Sequence, residues 1–122
     1  MTVPLQITFR DLPSSAAVEA HIRESAQHLE RVFDRLTACR VIVEGRHRPQ
    51  RAGKVAHLCI ELTMPGKTIT VGRGAGQFEA HDDVFVAVRA AFDAARRRLD
   101  RHAQRRRGEV KSHTLPTVQE DA

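Results

Sequence analysis

Hydrophobic and polar residues alternate strictly from residue 5 to residue 10, with Leu5, Ile7 and Phe9 opposing Gln6, Thr8 and Arg10. A period of two marks a strand with one buried face. Asp11–Ser15 breaks the pattern, and Pro13 followed by Ser14 and Ser15 supplies helix-capping residues. From Ala16 to about Leu36 the period lengthens. Val18, Ile22, Ala26, Leu29, Phe33 and Leu36 recur at helical spacing and form one apolar stripe. Cys39–Arg46, with Val41, Ile42 and Val43, predicts a second strand. Lys54–Leu62 predicts a third, with Ala56, Leu58, Ile60 and Leu62 on one face. Met64-Pro65-Gly66-Lys67 is a hairpin turn into a fourth strand, Thr68–Val71. Gly72, Gly74 and Gly76 interrupt the chain before Gln77–His81. Asp82 or Asp83 can then cap a last helix, whose buried stripe is Phe85, Val88, Ala91, Phe92, Ala95 and Leu99. This helix is expected to stop near Gly108.

The predicted order is β-α-β-β-β-α, which defines an α+β fold. It is a two-layer domain with a four-stranded mixed sheet and two helices on one face, because sheet face and helix stripes can bury only each other. The β-α-β start implies a parallel strand pair, and the two hairpin turns imply antiparallel neighbours. Residues 1–108 are expected to form the domain, and 109–122, which lack periodicity, a flexible tail.

Charge changes the picture most. The 122 residues carry a formal charge of +5, and Arg outnumbers Lys seventeen to three. Seven of the twelve residues from Arg96 to Arg107 are Arg. Acids are interspersed through the first two thirds of the chain, which argues for a folded basic domain rather than a disordered basic tail. Arg suits bidentate contacts of fixed geometry to phosphate, so nucleic acid is the leading partner. Positive charge near a helix C-terminus also complements the macrodipole, but so many arginines exceed what that requires. With the apolar stripe directed inward, Arg89, Arg96, Arg97, Arg101 and Arg105 face outward, and Arg98, Arg106 and Arg107 widen the charged surface. A second patch is expected from Arg46, Arg48, Arg51 and Lys54 around the first hairpin. The chain has no Tyr or Trp, and its Phe residues sit mostly at apolar positions. That disfavours a stacking platform for single-stranded bases and favours a folded RNA surface.

Candidate chemistry is sparse. His47, His57 and His81 are scattered and define no metal site; no cofactor is expected. Adjacent Asp82 and Asp83 are better explained by capping than by hydrolysis. Val71-Gly72-Arg73-Gly74-Ala75-Gly76 lacks Walker spacing and does not open the following helix, so a loop or strand irregularity is the better account, with Arg73 still free to meet a phosphate. No convincing nucleophile is present, and an enzyme is not expected. Cys39 and Cys59 form no CxxC pair. Burial as small hydrophobes suits them better than a disulfide between neighbouring strands. Neither a signal-peptide core nor an apolar run of membrane-spanning length is found, so a cytoplasmic location without a membrane partner is expected.

Several segments together carry a resemblance. They are Leu5-Gln6-Ile7-Thr8-Phe9, the helix ending Leu29-Glu30-Arg31-Val32-Phe33, and Cys39–Glu44. The strongest is Glu79-Ala80-His81-Asp82-Asp83-Val84-Phe85-Val86-Ala87-Val88, followed by the Arg-rich helix with Leu99-Asp100-Arg101. In their order and spacing the chain resembles the ribosome hibernation-promoting and ribosome-associated inhibitor family, also called sigma-54 modulation or S30EA-like, over about residues 3–107. The resemblance implies docking on the small ribosomal subunit around the messenger and transfer-RNA sites. It further implies inhibition of initiation and preservation of inactive ribosomes in stationary phase or stress. Its RNA-binding positions fall on Arg89, Arg96, Arg97, Arg101 and Arg105, then on Arg23 and Arg31, and last on Arg46 and Lys54. The implied partners are the small subunit, its 16S-type rRNA, intact ribosomes and an additional hibernation factor, with the protein itself a monomer in isolation.

The departures from the family pattern are a longer, glycine-rich segment between Lys67 and Glu79, and Phe85 where Tyr is usual. The tail is also too short for an extra dimerisation domain, so a short form is expected. Two other readings stay open: a general structured-RNA module, and a protein-interaction module that modulates transcription.

Overall fold

The structure, a computed structural model, describes residues 3–47, 54–72, 79–80 and 84–114. The elements are β1 (Leu5–Arg10), α1 (Ala16–Val32), β2 (Ala38–His47), β3 (Lys54–Met64), β4 (Lys67–Val71), β5 (Glu79–Ala80) and α2 (Val84–Thr114). The sheet runs β1-β2-β3-β4, with β1 parallel to β2 and the remaining pairs antiparallel. This is the expected two-layer α+β domain with a four-stranded mixed sheet. One addition was not expected from the periodicity: the two residues of β5 pair with β3 at Ala56 and His57, beyond the stretch that β4 occupies.

Alternation sorts the sheet into two faces. Cys39, Val41 and Val43 of β2 lie opposite Leu62, Ile60 and Leu58 of β3, and Ile69 and Val71 continue the layer on β4. All are buried, and they meet Val18, Ile22, Ala26 and Leu29 of α1 and Val88, Ala91, Phe92, Ala95 and Leu99 of α2. Burying each large aliphatic side chain stabilises by about 1.5–3 kcal/mol, so this layer dominates folding. The opposite face carries Gln6, Thr8, Arg40, Glu44 and Glu61, with an Arg40–Glu61 ion pair at 3.8 Å.

His57 lies on that same face and is its buried polar residue. It is 1 % exposed, and its Nε2–H donates to the Gly72 carbonyl at 2.6 Å. The bond ties β3 to the end of β4, where Gly72 adopts a φ of 88°. A carbonyl can only accept, so this bond fixes the proton on Nε2.

Local chemistry sets the ends of the elements. Ser15 caps α1, its Oγ accepting from the Val18 N–H at 3.3 Å. The helix ends at Val32, four residues before the expected Leu36. Phe33 N–H closes on Leu29 O at 2.9 Å, and a turn carries Leu36 back into the core from outside the helix. Pro65-Gly66 joins β3 to β4 with Gly66 at φ 74°, the residue pattern of a type II turn.

The last helix corrects a second boundary. It continues through Gly108 to Thr114. A single interior Gly costs about 1 kcal/mol, too little to stop a helix flanked by good formers. The helix is described as far as Thr114, two residues before Pro116 in the sequence. The first part of the expected flexible tail, up to Thr114, is thus helical. The expected caps Asp82 and Asp83, the glycines at 74 and 76, and His81 lie outside the described residues.

Neither cysteine is in a disulfide. Cys39 faces the helices and Cys59 the opposite side of the sheet, so strand alternation itself keeps them apart. Burial pushes the Cys39 thiol from 9.0 up to about 12.

Candidate nucleic-acid interface

On α2, a residue advances about 100° around the axis, so the arginines flank the buried stripe on both sides instead of forming one strip. Arg89 and Arg96, seven residues apart, border α1. Arg98, Arg101 and Arg105 border β4. Arg97 stands between the two rows, away from the core. All six are exposed. Among the described residues, Arg89, Arg96, Arg97, Arg101 and Arg105 enter no ion pair.

The α1 side is a groove of about 380 Å³ that brings together Arg31, Arg89 and Arg96, three of the residues expected to bind RNA. Glu24 and Asp93 line it as well, so three cations face two carboxylates. The ring of His21, which also lines the groove, meets Phe85 edge-on, with centroids 5.3 Å apart and an interplanar angle of 71°.

The β4 side is a smaller cleft of about 210 Å³ lined by Lys67, Ile69, Arg98, Arg101, His102 and Arg105. It holds four cations and no carboxylate. Arg98 Nη1–H donates to Thr70 O at 3.2 Å, anchoring the guanidinium to the edge strand. Sequence patterning gives no hint of Lys67, because only the β3–β4 register, which pairs it with Met64, puts it there. A third cleft lies where α1 ends, between Val32, Phe33, Met64, Leu99 and Ala103. Asp34, Arg35, Asp100 and His102 line it as well, and it contains none of the expected RNA-binding residues.

The other expected positions do not join these clefts. Arg23 is held by Glu19 at 3.0 Å on the exposed side of α1. Arg46 pairs with Glu44 at 3.1 Å on the sheet face opposite the helices, so it lies on a different layer from the arginines of α2. Lys54 starts β3, paired in register with His47. Arg48, Arg51 and Arg73 lie outside the described residues. Among the described residues no group of three or more His, Cys, Asp or Glu is placed to hold a metal ion. Among them, too, no helix is long and apolar enough to cross a membrane.

A basic two-layer β-α-β-β-β-α domain with arginines on its last helix is thus the class that fold and surface define. The chain belongs to the sigma 54 modulation protein / S30EA ribosomal protein family, whose sequence model matches residues 5–107. No curated protein matches it. Among solved structures it is similar to a ribosomal subunit interface protein from Coxiella burnetii, with a TM-score of 0.65 at 14% identity, covering 84% of this chain and 99% of that one. It is also similar to the N-terminal domain of Thermus thermophilus Protein Y, with a TM-score of 0.57 at 20% identity and the same coverages. At these identities the likeness is one of fold.

Proposed function

We propose that this domain binds the small ribosomal subunit near the messenger and transfer-RNA sites, gripping 16S-type rRNA through α2. By filling that path it inhibits translation and preserves inactive ribosomes under stress or in stationary phase, acting in the cytoplasm. The observation that carries the proposal is the set of exposed arginines at 89, 96, 97, 101 and 105, without an ion pair among the described residues, on a helix whose opposite face is buried in the core. Such a surface binds backbone phosphate by charge and geometry, with no need for base stacking. Arg31 adds to it across the groove. Arg23, Arg46 and Lys54 contribute less, the first two because their charge is already met by a carboxylate.

Membership of a family named for a ribosomal protein supports the choice of RNA, as does likeness to a structure described as a subunit interface protein. Chemical footprinting of rRNA in purified small subunits tests it. Protection concentrated in the decoding region is expected. Equal protection of unrelated duplex RNA would replace it with a general structured-RNA module, and association that survives nuclease treatment with a protein-interaction module.

A further inference from the structure

We infer that the cleft between α2 and β4 is a discrete site for two neighbouring phosphates, built by Lys67, Arg98, Arg101 and Arg105. It is separate from the groove at α1. For RNA as the source of the phosphates, the inference rests on the reading above.

The first observation is charge. Four cations line about 210 Å³ with no carboxylate among them, whereas Glu24 and Asp93 offset most of the charge in the groove at α1. The fold accounts for Arg98 alone, through its bond to Thr70 O. Arg98 and Arg101, and Arg101 and Arg105, stand three and four residues apart on one helix, where like charges destabilise instead of supporting it. Nor does the macrodipole explain it, because that effect fades within the last turn and the helix runs on to Thr114. The cluster lies mid-helix, and no carboxylate lines the cleft to offset its repulsion.

The second observation is preorganisation. Thr70 O holds Arg98 by one of its five N–H donors, leaving the rest of the fork for a ligand while limiting the rotamer freedom that binding would cost. Lys67 is placed by the adjoining type II turn and adds a cation from the sheet side. From Arg98 to Arg105 the helix rises by about 10 Å, long enough for more than one phosphate. The two ends of such a pair can come from an RNA backbone or from a free polyphosphate, and the same cations would recognise either.

The test uses the full chain and the double variant K67E/R101E, which spares the Arg98–Thr70 bond. Titration with inorganic pyrophosphate, followed by amide shifts, should move residues 67–70 and 98–105 saturably in the parent and not in the variant. The absence of saturable shifts there, or equal shifts in both proteins, overturns the site. Small-subunit binding across a salt series then identifies the source. Removing two phosphate contacts should lower the slope of log K against log salt by about 1.4–1.8 and weaken binding roughly 25- to 60-fold at 0.1 M salt. Pyrophosphate binding with an unchanged subunit slope overturns the RNA source and assigns a free polyphosphate. If the parent fails to bind small subunits at all, the proposed function fails, while the pyrophosphate titration still decides the site.

Discussion

Replacing Arg89, Arg96 and Arg97 together by Ala should produce a defect that salt conceals. All three are exposed and without an ion pair among the described residues, and none lies on the Val88–Leu99 stripe, so the fold should lose no more than about 0.5 kcal/mol per site. If each neutralises one phosphate, the slope of log K against log salt should become shallower by roughly 2–2.7, from 0.7 to 0.9 per phosphate. At 0.1 M salt that is about two to nearly three decades of affinity, shrinking towards none as salt approaches 1 M. The assay is equilibrium binding of labelled protein to purified small subunits between about 0.05 and 0.5 M salt, with thermal unfolding of each variant as the control. Parallel lines for parent and variant would refute the reasoning, because arginines whose removal leaves the slope unchanged were not neutralising phosphates.

Three further outcomes follow from the same structure. Leu58→Ala, at a position with 0 % exposure, should destabilise by about 2–5 kcal/mol in a chemical-denaturation experiment; a cost below 1 kcal/mol would contradict the burial assigned to β3. Gly66→Ala meets no atom within 4 Å but must hold φ at 74°, so a backbone cost of about 1–2 kcal/mol is expected, read from the denaturation midpoint and largely relieved in Gly66→Asn. Cys39 should resist thiol reagents in the native state while Cys59 reacts faster, as peptide mapping after labelling would reveal. Because its native thiol titrates near 12 against 9.0 when unfolded, the stability it contributes is full below pH 9. That contribution is lost as pH rises towards 12, on the order of 4 kcal/mol in all. Cys39→Ala should flatten this alkaline decline, and an identical decline in the variant would show that other groups cause it.

Much of the fold was legible because burial imposes periods. Val18, Ile22, Ala26 and Leu29 mark the inner face of α1, and Leu58, Ile60 and Leu62 mark that of β3. Periodicity failed where a residue is buried without belonging to a regular element. Leu36 continues the apolar stripe in sequence but enters the core from a turn, and two-residue β5 is too short to show any alternation. Gly108 reads as a stop signal, yet α2 continues through it to Thr114, since one interior Gly costs only about 1 kcal/mol.

The site was legible as composition and not as geometry. Outward arginines can be read from spacing alone. Which neighbour flanks each row depends on how α2 packs between α1 and β4, and this divides Arg89 and Arg96 from Arg101 and Arg105. Lys67 is an ordinary turn residue until the strand register brings it to the same cleft. Arg46 shows the converse, a basic residue near others in sequence that lies on the opposite layer.

Cosedimentation of the purified protein with small subunits, large subunits and intact ribosomes over a salt series tests the central claim most directly. Saturable binding that requires the small subunit, with log affinity falling steeply and linearly in log salt, is the expected result. Equal binding to both subunits, or none to the small subunit, would contradict it.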